Sequence, residues 1–334
     1  MQQKNKYKKL IRRAFTILLW AFVLPISAQQ NPHITQYTNS PLLMNPAVAG
    51  SRNSLALDLS TRQQWVGVEG SPMTYMANAH TPINDTRMAL GASLMSDIAG
   101  PVMANHFSLA YAYLLTINHS HFLSLGINAG INSNKVSLSS LRLNDNTDKN
   151  FAGDINHTIT PSFGAGLMLY SPYYFLSFSM PRVLPSNAEY PGEGNLEYSY
   201  NQQYFLSGGT QIAFTNDHSV RLSALARFED SMESVYDITA LYNYAGIFTA
   251  GGSYRPNYAV ALILGLQINE NFGIHYSYDF PMGSKAMNWF NFQELTLSFD
   301  LRKYFKTNLD REFSKPRSKS PTRDDGSARS IRHF

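Results

Sequence analysis

The feature that most constrains this chain is a period-2 alternation that recurs from Ser54 to Phe305. No stretch of that span carries a convincing 3.6-residue period. In 258–268 one face is Tyr258, Val260, Leu262, Leu264, Leu266 and Ile268, against Ala259, Ala261, Ile263, Gly265 and Gln267. In 272–280, Phe272, Ile274, Tyr276, Tyr278 and Phe280 alternate with Gly273, His275, Ser277 and Asp279. Segment 294–302 sets Leu295, Leu297, Phe299 and Leu301 against Glu294, Thr296, Ser298, Asp300 and Arg302. A soluble sandwich also alternates, but its polar face meets water and is rich in Lys and Glu. Here the polar face is Gly, Ser, Thr, Asn and Gln with isolated charges, which suits a confined lumen, and the apolar face suits lipid. Such strands, at about 9–11 residues, cross a bilayer when tilted.

Composition agrees. Only 15% of the 334 residues are charged while 13% are aromatic, and the mean hydropathy is −0.24. A helical membrane bundle would be far more apolar, and the longest apolar run, Ala14 to Ile26, is too short to span as a helix. The chain has no Cys, which removes disulfides, thiolate metal sites and cysteine nucleophiles. Strands are expected at 54–66, 72–82, 86–97, 102–118, 121–133, 160–170, 173–181, 202–215, 217–229, 233–244, 246–256, 258–269, 271–282 and 291–305. This is an all-β, antiparallel outer-membrane β-barrel of about 14 strands, in a single domain from 54 to 305. An even strand count puts both termini on one side, the periplasmic side for an exported barrel. The connections on that side are short, and the two longest, about 134–159 and 182–201, fall on the other. Tyr170, Tyr173, Tyr174, Tyr242, Tyr244, Tyr254 and Tyr258 lie at strand ends, as an interfacial girdle requires.

The ends differ from the body. Residues 1–13 carry +6, and a basic region followed by Ala14–Leu24 and Pro25-Ile26-Ser27-Ala28 reads as a signal peptide, 1–28. Residues 306–334 carry eight Lys/Arg and four Asp/Glu and read as a basic, disordered periplasmic tail. The rest holds thirteen Lys/Arg against nineteen Asp/Glu. The basic isoelectric point therefore comes from the ends, and no nucleic-acid partner is expected. Residues 29–53 precede the first strand as a periplasmic N-terminal segment, whose Pro, Asn and Gly content precludes a regular element. It is read either as a lumen plug or partner-docking segment, or as a tether packed on the barrel mouth.

The start of the mature chain reads Gln36-Tyr37, Pro41-Leu42, Asn45-Pro46-Ala47 and Ala49-Gly50, then Arg62, Gln64-Trp65, Gly67, Gly70, Pro72 and Thr74. It resembles the PorP/SprF family of outer-membrane proteins of the type IX secretion and gliding system of Bacteroidota. Asp97 with Gly100-Pro101, Ser253-Tyr254-Arg255 and Tyr276-Ser277-Tyr278-Asp279 extend the likeness across 29–305. The family's usual Gly-Ser-His-Glu run at the last strand is absent, since Asn291-Phe292-Gln293 precede Glu294, and the long basic tail is atypical. The resemblance implies a non-enzymatic component that helps export or attach a cognate large secreted surface protein, or binds its C-terminal signal. Its partners would be secretion-system outer-membrane and periplasmic subunits, in contact with the lipid bilayer. The alternative is a porin or a hydrophobic-solute transporter.

Two groups of residues stand out. Gln36, Tyr37, Pro41, Leu42, Asn45, Pro46, Gly50, Arg62, Gln64 and Trp65 form a partner-binding candidate on the strength of that block. By register Asp58, Arg62, Arg87, Arg221, Arg227, Glu229, Asp237, Arg255, Asp279, Glu294, Asp300 and Arg302 point inward. An unpaired charge in a narrow lumen is costly, so they are expected to pair as a structural network rather than line a transport pathway. Trp65 is also the residue type of an interfacial anchor. His119 and His121 lack a third ligand, and Asp145, Asp148 and Asp154 lack the spacing of a calcium loop, so no metal or other cofactor is expected. No Gly-x-Ser-x-Gly, phosphate-loop, His-Glu-x-x-His or dinucleotide signature occurs, so no catalytic residue is assigned.

Overall fold

The computed structural model describes residues 33–52, 54–83, 86–118, 120–137, 155–189, 197–230, 233–282 and 291–301. The expected signal peptide (1–28) and basic tail (306–334), His119 and the loop acids Asp145, Asp148 and Asp154 lie outside them. Alternation becomes the strands β1 (Leu55–Gln64), β2 (Met73–Pro82), β3 (Met88–Ala99), β4 (Val102–Thr116), β5 (Phe122–Val136) and β6 (Ile155–Tyr170). They are followed by β7 (Tyr174–Arg182), a small separate hairpin of β8 (Ser186–Glu189) and β9 (Glu197–Tyr200), β10 (Gln203–Ala213) and β11 (His218–Glu229). The chain then forms β12 (Val235–Tyr244), β13 (Phe248–Arg255), β14 (Ala259–Asn269), β15 (Phe272–Pro281) and β16 (Phe292–Leu301). Every strand except the β8–β9 pair joins one closed antiparallel barrel of fourteen strands. Pairing of β1 with β16, from Leu55 opposite Leu301 to Gln64 opposite Phe292, closes it and leaves no sheet edge.

The expected fourteen strands are therefore present. The β8–β9 hairpin sits in what the sequence presents as one long connection. The two faces sort as the residues predict. Leu109, Ile127, Phe163, Leu262 and Leu266 project outward and exposed, while Ser60, Thr74, Asn78, Thr239, Ser277 and Thr296 are buried inside. An apolar belt of that size in water would be an aggregation surface, so it is the lipid-facing wall. Tyr173, Tyr174, Tyr242, Tyr244 and Tyr254 are exposed at strand ends. Tyr170 is not with them: it turns into the barrel and packs on Phe122, with ring centroids 5.4 Å apart. Its position in β6 shares the inward parity of Met168, so the pleat overrides its residue type.

One end of the barrel carries the short connections, such as 171–173, 245–247 and 270–271, and both strand termini; it is called the turn end here. The longest connections, 137–154 and 183–202, lie at the other, the loop end.

Candidate functional site

A barrel of fourteen strands is too wide for its own wall side chains to fill. What occupies much of this one is residues 33–52. The segment starts at the loop end, where His33 meets Arg227 of β11 and the ring of Tyr258, and descends to the turn end, where it enters β1. The even strand count thus places the start of β1, not the start of the described chain, at the turn end.

The upper part is held by polar contacts. The Thr35 and Gln36 backbone N–H groups donate to the two oxygens of Glu294, at 2.9 and 3.2 Å. The Thr35 hydroxyl donates to Asp279 at 2.6 Å and accepts from Arg62 at 3.2 Å. The Gln36 amide donates to the Glu294 carbonyl at 2.9 Å and accepts from Asn39 at 3.0 Å. Tyr37 is buried, and its hydroxyl lies 3.0 Å from Ser223 and 3.3 Å from Thr239.

These contacts rest on a charged cluster in the wall. Arg62 of β1 bridges Asp279 of β15 at 3.2 Å and Glu294 of β16 at 3.3 Å, with Phe292 stacked under its guanidinium at 5.1 Å. Arg255 pairs with Asp237 at 2.9 Å and reaches Asp279 at 3.7 Å. All five of these charged residues are buried. Arg227 donates to Nε2 of His33 at 3.2 Å. A guanidinium can only donate, so Nε2 must be the unprotonated nitrogen. Burial, reinforced by Arg227, Arg255 and Arg62, accordingly holds His33 well below its ordinary pKa of 6.5.

The lower part is held by shape. Pro41–Leu43 and Pro46–Val48 are single 3-10 turns. Asn45 caps the second by accepting from the Ala47 N–H at 2.8 Å, and Pro46 follows where no N–H is needed. The same Asn45 amide donates to Ser177 at 2.6 Å and to the Leu167 carbonyl at 3.1 Å, tying the cap to β6 and β7. Ala47 and Val48 pack with Phe122, Met168 and Tyr170; Leu42 and Ala49 pack with Ala89, Ala110 and Ala112. The wall is hollowed to receive them. A Cβ on Gly126 would strike the Pro46–Ala47 backbone, and one on Gly166 would strike the Asn45 side chain. Gly50 closes the segment at φ +76°, a left-handed conformation, with its N–H donating to His80 Nδ1 at 3.1 Å. Arg52 then pairs with Asp58 at 2.8 Å.

The partner-binding candidates therefore fall into two sets. Gln36, Tyr37, Leu42, Asn45, Pro46 and Arg62 are buried in the lumen, with Pro41 and Gly50 in the same segment. Gln64 and Trp65 alone of that group sit at the loop-end rim, where the Trp65 N–H donates to the Asn291 carbonyl at 2.9 Å.

The inward charges do not form a single network. Arg62, Asp237, Arg255, Asp279 and Glu294 form the upper cluster; Asp58 is answered by Arg52; Ser54 donates to Asp300 at 2.9 Å. Gln203 donates to Glu229 at 2.7 Å. Arg87 is a correction: it is exposed in the turn before β3, because the strand begins at Met88 and the lumen-facing position lies past its end. Arg302 lies outside the described residues. Thr35, His33 and Arg52 were not legible as members, since each acquires its partner only when the segment threads the barrel. Two signals pointed that way: Gly126 and Gly166 fall on the inward face opposite nothing large, and inward charges of both signs required partners. Among the described residues no group of three His, Asp or Glu is arranged to hold a metal.

No curated protein sequence matches the chain significantly. Among solved structures, Omp33 of Acinetobacter baumannii is 9% identical, over 75% of this chain and 100% of that one, with a TM-score of 0.42. A Pseudomonas aeruginosa FadL homologue is 12% identical over 78% and 93%, with a TM-score of 0.47. The P. putida toluene transporter TodX is 11% identical over 80% and 95%, with a TM-score of 0.46. The profile of the "Type IX secretion system membrane protein PorP/SprF" family matches residues 26–299, which is nearly the whole barrel together with the segment inside it. The chain belongs to the PorP/SprF family, and this barrel is an outer-membrane component of a type IX secretion system.

Proposed function

We propose that the protein is a closed, non-enzymatic scaffold of the type IX secretion and gliding machinery. It binds a cognate large secreted protein, or that protein's C-terminal signal, and helps its export or surface attachment alongside other secretion-system subunits. The observation that carries this reading is the ordered segment 33–52 inside the lumen. A barrel corked by its own chain on both an ionic cluster and an apolar seat works through its surfaces, not through a pore. The turn end, with both strand termini, then faces the periplasm, and the loop end faces outward. In this orientation Gln64 and Trp65 stand at the outer rim, within a partner's reach. The buried members of the same block act from inside, by setting the shape of the wall.

The test is purification of the tagged barrel from outer membranes in mild detergent, with bound proteins identified by mass spectrometry, paired with planar-bilayer conductance. A large surface protein and secretion subunits in near-stoichiometric yield, with a silent barrel, support the scaffold. A barrel recovered alone that conducts steadily would replace this reading with the porin or solute-transporter alternative.

A further inference from the structure

Between the plug and strands β10–β16 the lumen is not filled. A cavity of about 690 Å³ opens at the turn end, within the range of small-ligand sites. Asn39 and Arg52 of the plug form part of its wall. Arg221 of β11 lines it and is only 7% exposed. Among the described residues its guanidinium makes one hydrogen bond, donated to the Asn243 side chain at 3.3 Å, and its Nε has no partner. Among the described residues no carboxylate lies within ion-pair distance of it. The other charges of the cavity are otherwise disposed. Arg52 pairs with Asp58, Asp300 accepts from Ser54, and Asp217 and Glu270 sit in the turns at the mouth. A buried guanidinium answered only by a neutral amide is expensive unless an anion completes it.

We propose that this vestibule is a docking socket for a carboxylate carried on a polypeptide segment, with Arg221 as its anion-binding group. A guanidinium matches a carboxylate with two parallel N–H donors. With Arg52 already paired to Asp58, Arg221 is the one cation of the lining left without a carboxylate among the described residues, and with Asp217 and Glu270 at the mouth this disfavours a dianion such as phosphate. Gln211 also lines the cavity, and its side-chain carbonyl oxygen has no partner, so it can accept from a peptide N–H. The polypeptide is an acidic segment of a periplasmic partner, matched by charge to Arg221; occupation by the acidic residues of this chain's own C-terminal region is the other outcome of the test. Placing the mouth in the periplasm rests on the orientation proposed above; binding in detergent does not, so the two fail separately.

The full-length protein in detergent is titrated against a fluorescein-labelled, C-terminally amidated Gly-Ser-Asp-Asp-Gly peptide and its Asn-Asn counterpart, followed by anisotropy. The Asp peptide is expected to bind at least tenfold tighter, and more weakly as salt rises. Arg221→Gln should abolish that preference and Arg221→Lys retain part of it. Ser219→Phe should block the socket while leaving the guanidinium in place. Heat-modifiable electrophoretic mobility reports folding; if Arg221→Gln fails to fold, the Lys and Phe variants decide. A full-length variant carrying Asp310→Asn, Glu312→Gln, Asp324→Asn and Asp325→Asn distinguishes the sources. Unchanged probe binding by it supports a partner as the occupant, and tighter binding shows that the chain's own tail fills the socket and overturns the partner assignment. Equal affinity for the two peptides, equal binding by a folded Arg221→Gln variant, or inorganic phosphate bound in preference to the Asp peptide, overturns the proposal.

Discussion

Residues 33–40 and 41–50 are neighbours in one short segment, yet different forces seat them. The upper half lies on charge: Thr35 and Gln36 close on Glu294, Asp279 and Arg62 at the loop end. The lower half lies on fit: Leu42, Asn45, Ala47, Val48 and Ala49 fill hollows left by Gly126, Gly166 and a row of alanines. A buried ionic cluster contributes little net stability but is costly to break, and its geometry selects one register. Apolar burial stabilises but is less directional. The plug therefore takes its position from one end and much of its hold from the other.

The comparison breaks most sharply at Glu294. Glu294→Ala leaves two backbone N–H groups and Arg62 short of a carboxylate, with an expected cost of about 3–5 kcal/mol. Hydrogen exchange should rise at residues 34–38 before it rises at 42–50; simultaneous opening would show that the halves are one unit. Leu42→Ala should cost about 2–3 kcal/mol by thermal unfolding in detergent, with the opposite order of exchange. Gly126→Val forces the Pro46–Ala47 backbone off the wall, at about 1–3 kcal/mol, and should raise single-channel conductance while leaving the upper contacts formed. Asn45→Ala removes a cap and two ties to the wall, for about 1 kcal/mol from the cap itself.

The smallest effect concerns pH. The folded state holds His33 neutral, its pKa lowered from 6.5, so it binds fewer protons than the unfolded chain. Its contribution is present above about 6.5 and is lost as pH falls below that value. Exchange at residues 33–36 should increase on acidification and leave 42–50 unchanged. His33→Leu should remove that dependence, and a dependence that survives the substitution assigns it elsewhere in the lumen.

Much of the fold was legible because its cause is local. The strands of 258–268, 272–280 and 294–302 each declare two faces within a few residues, and lipid and lumen select between them. Tyr170 misled because a tyrosine at a strand end suits an interface, whereas the pleat directs it inward. Arg87 misled for the converse reason: its parity is right, but the strand stops one residue short of it. The block from Gln36 to Gly50 was visible as a distinctive motif, but not its location, since nothing within those residues names the wall they meet.

The sequence by itself determined a fourteen-stranded barrel with an apolar exterior and a polar interior, because a period of two needs only neighbouring residues to be read. The tertiary structure alone decided that the chain's own N-terminal segment occupies that interior and which charges answer one another. Thr35 and Glu294 are 259 positions apart, and such a pair exists only after the barrel has closed around the segment that supplies half of it.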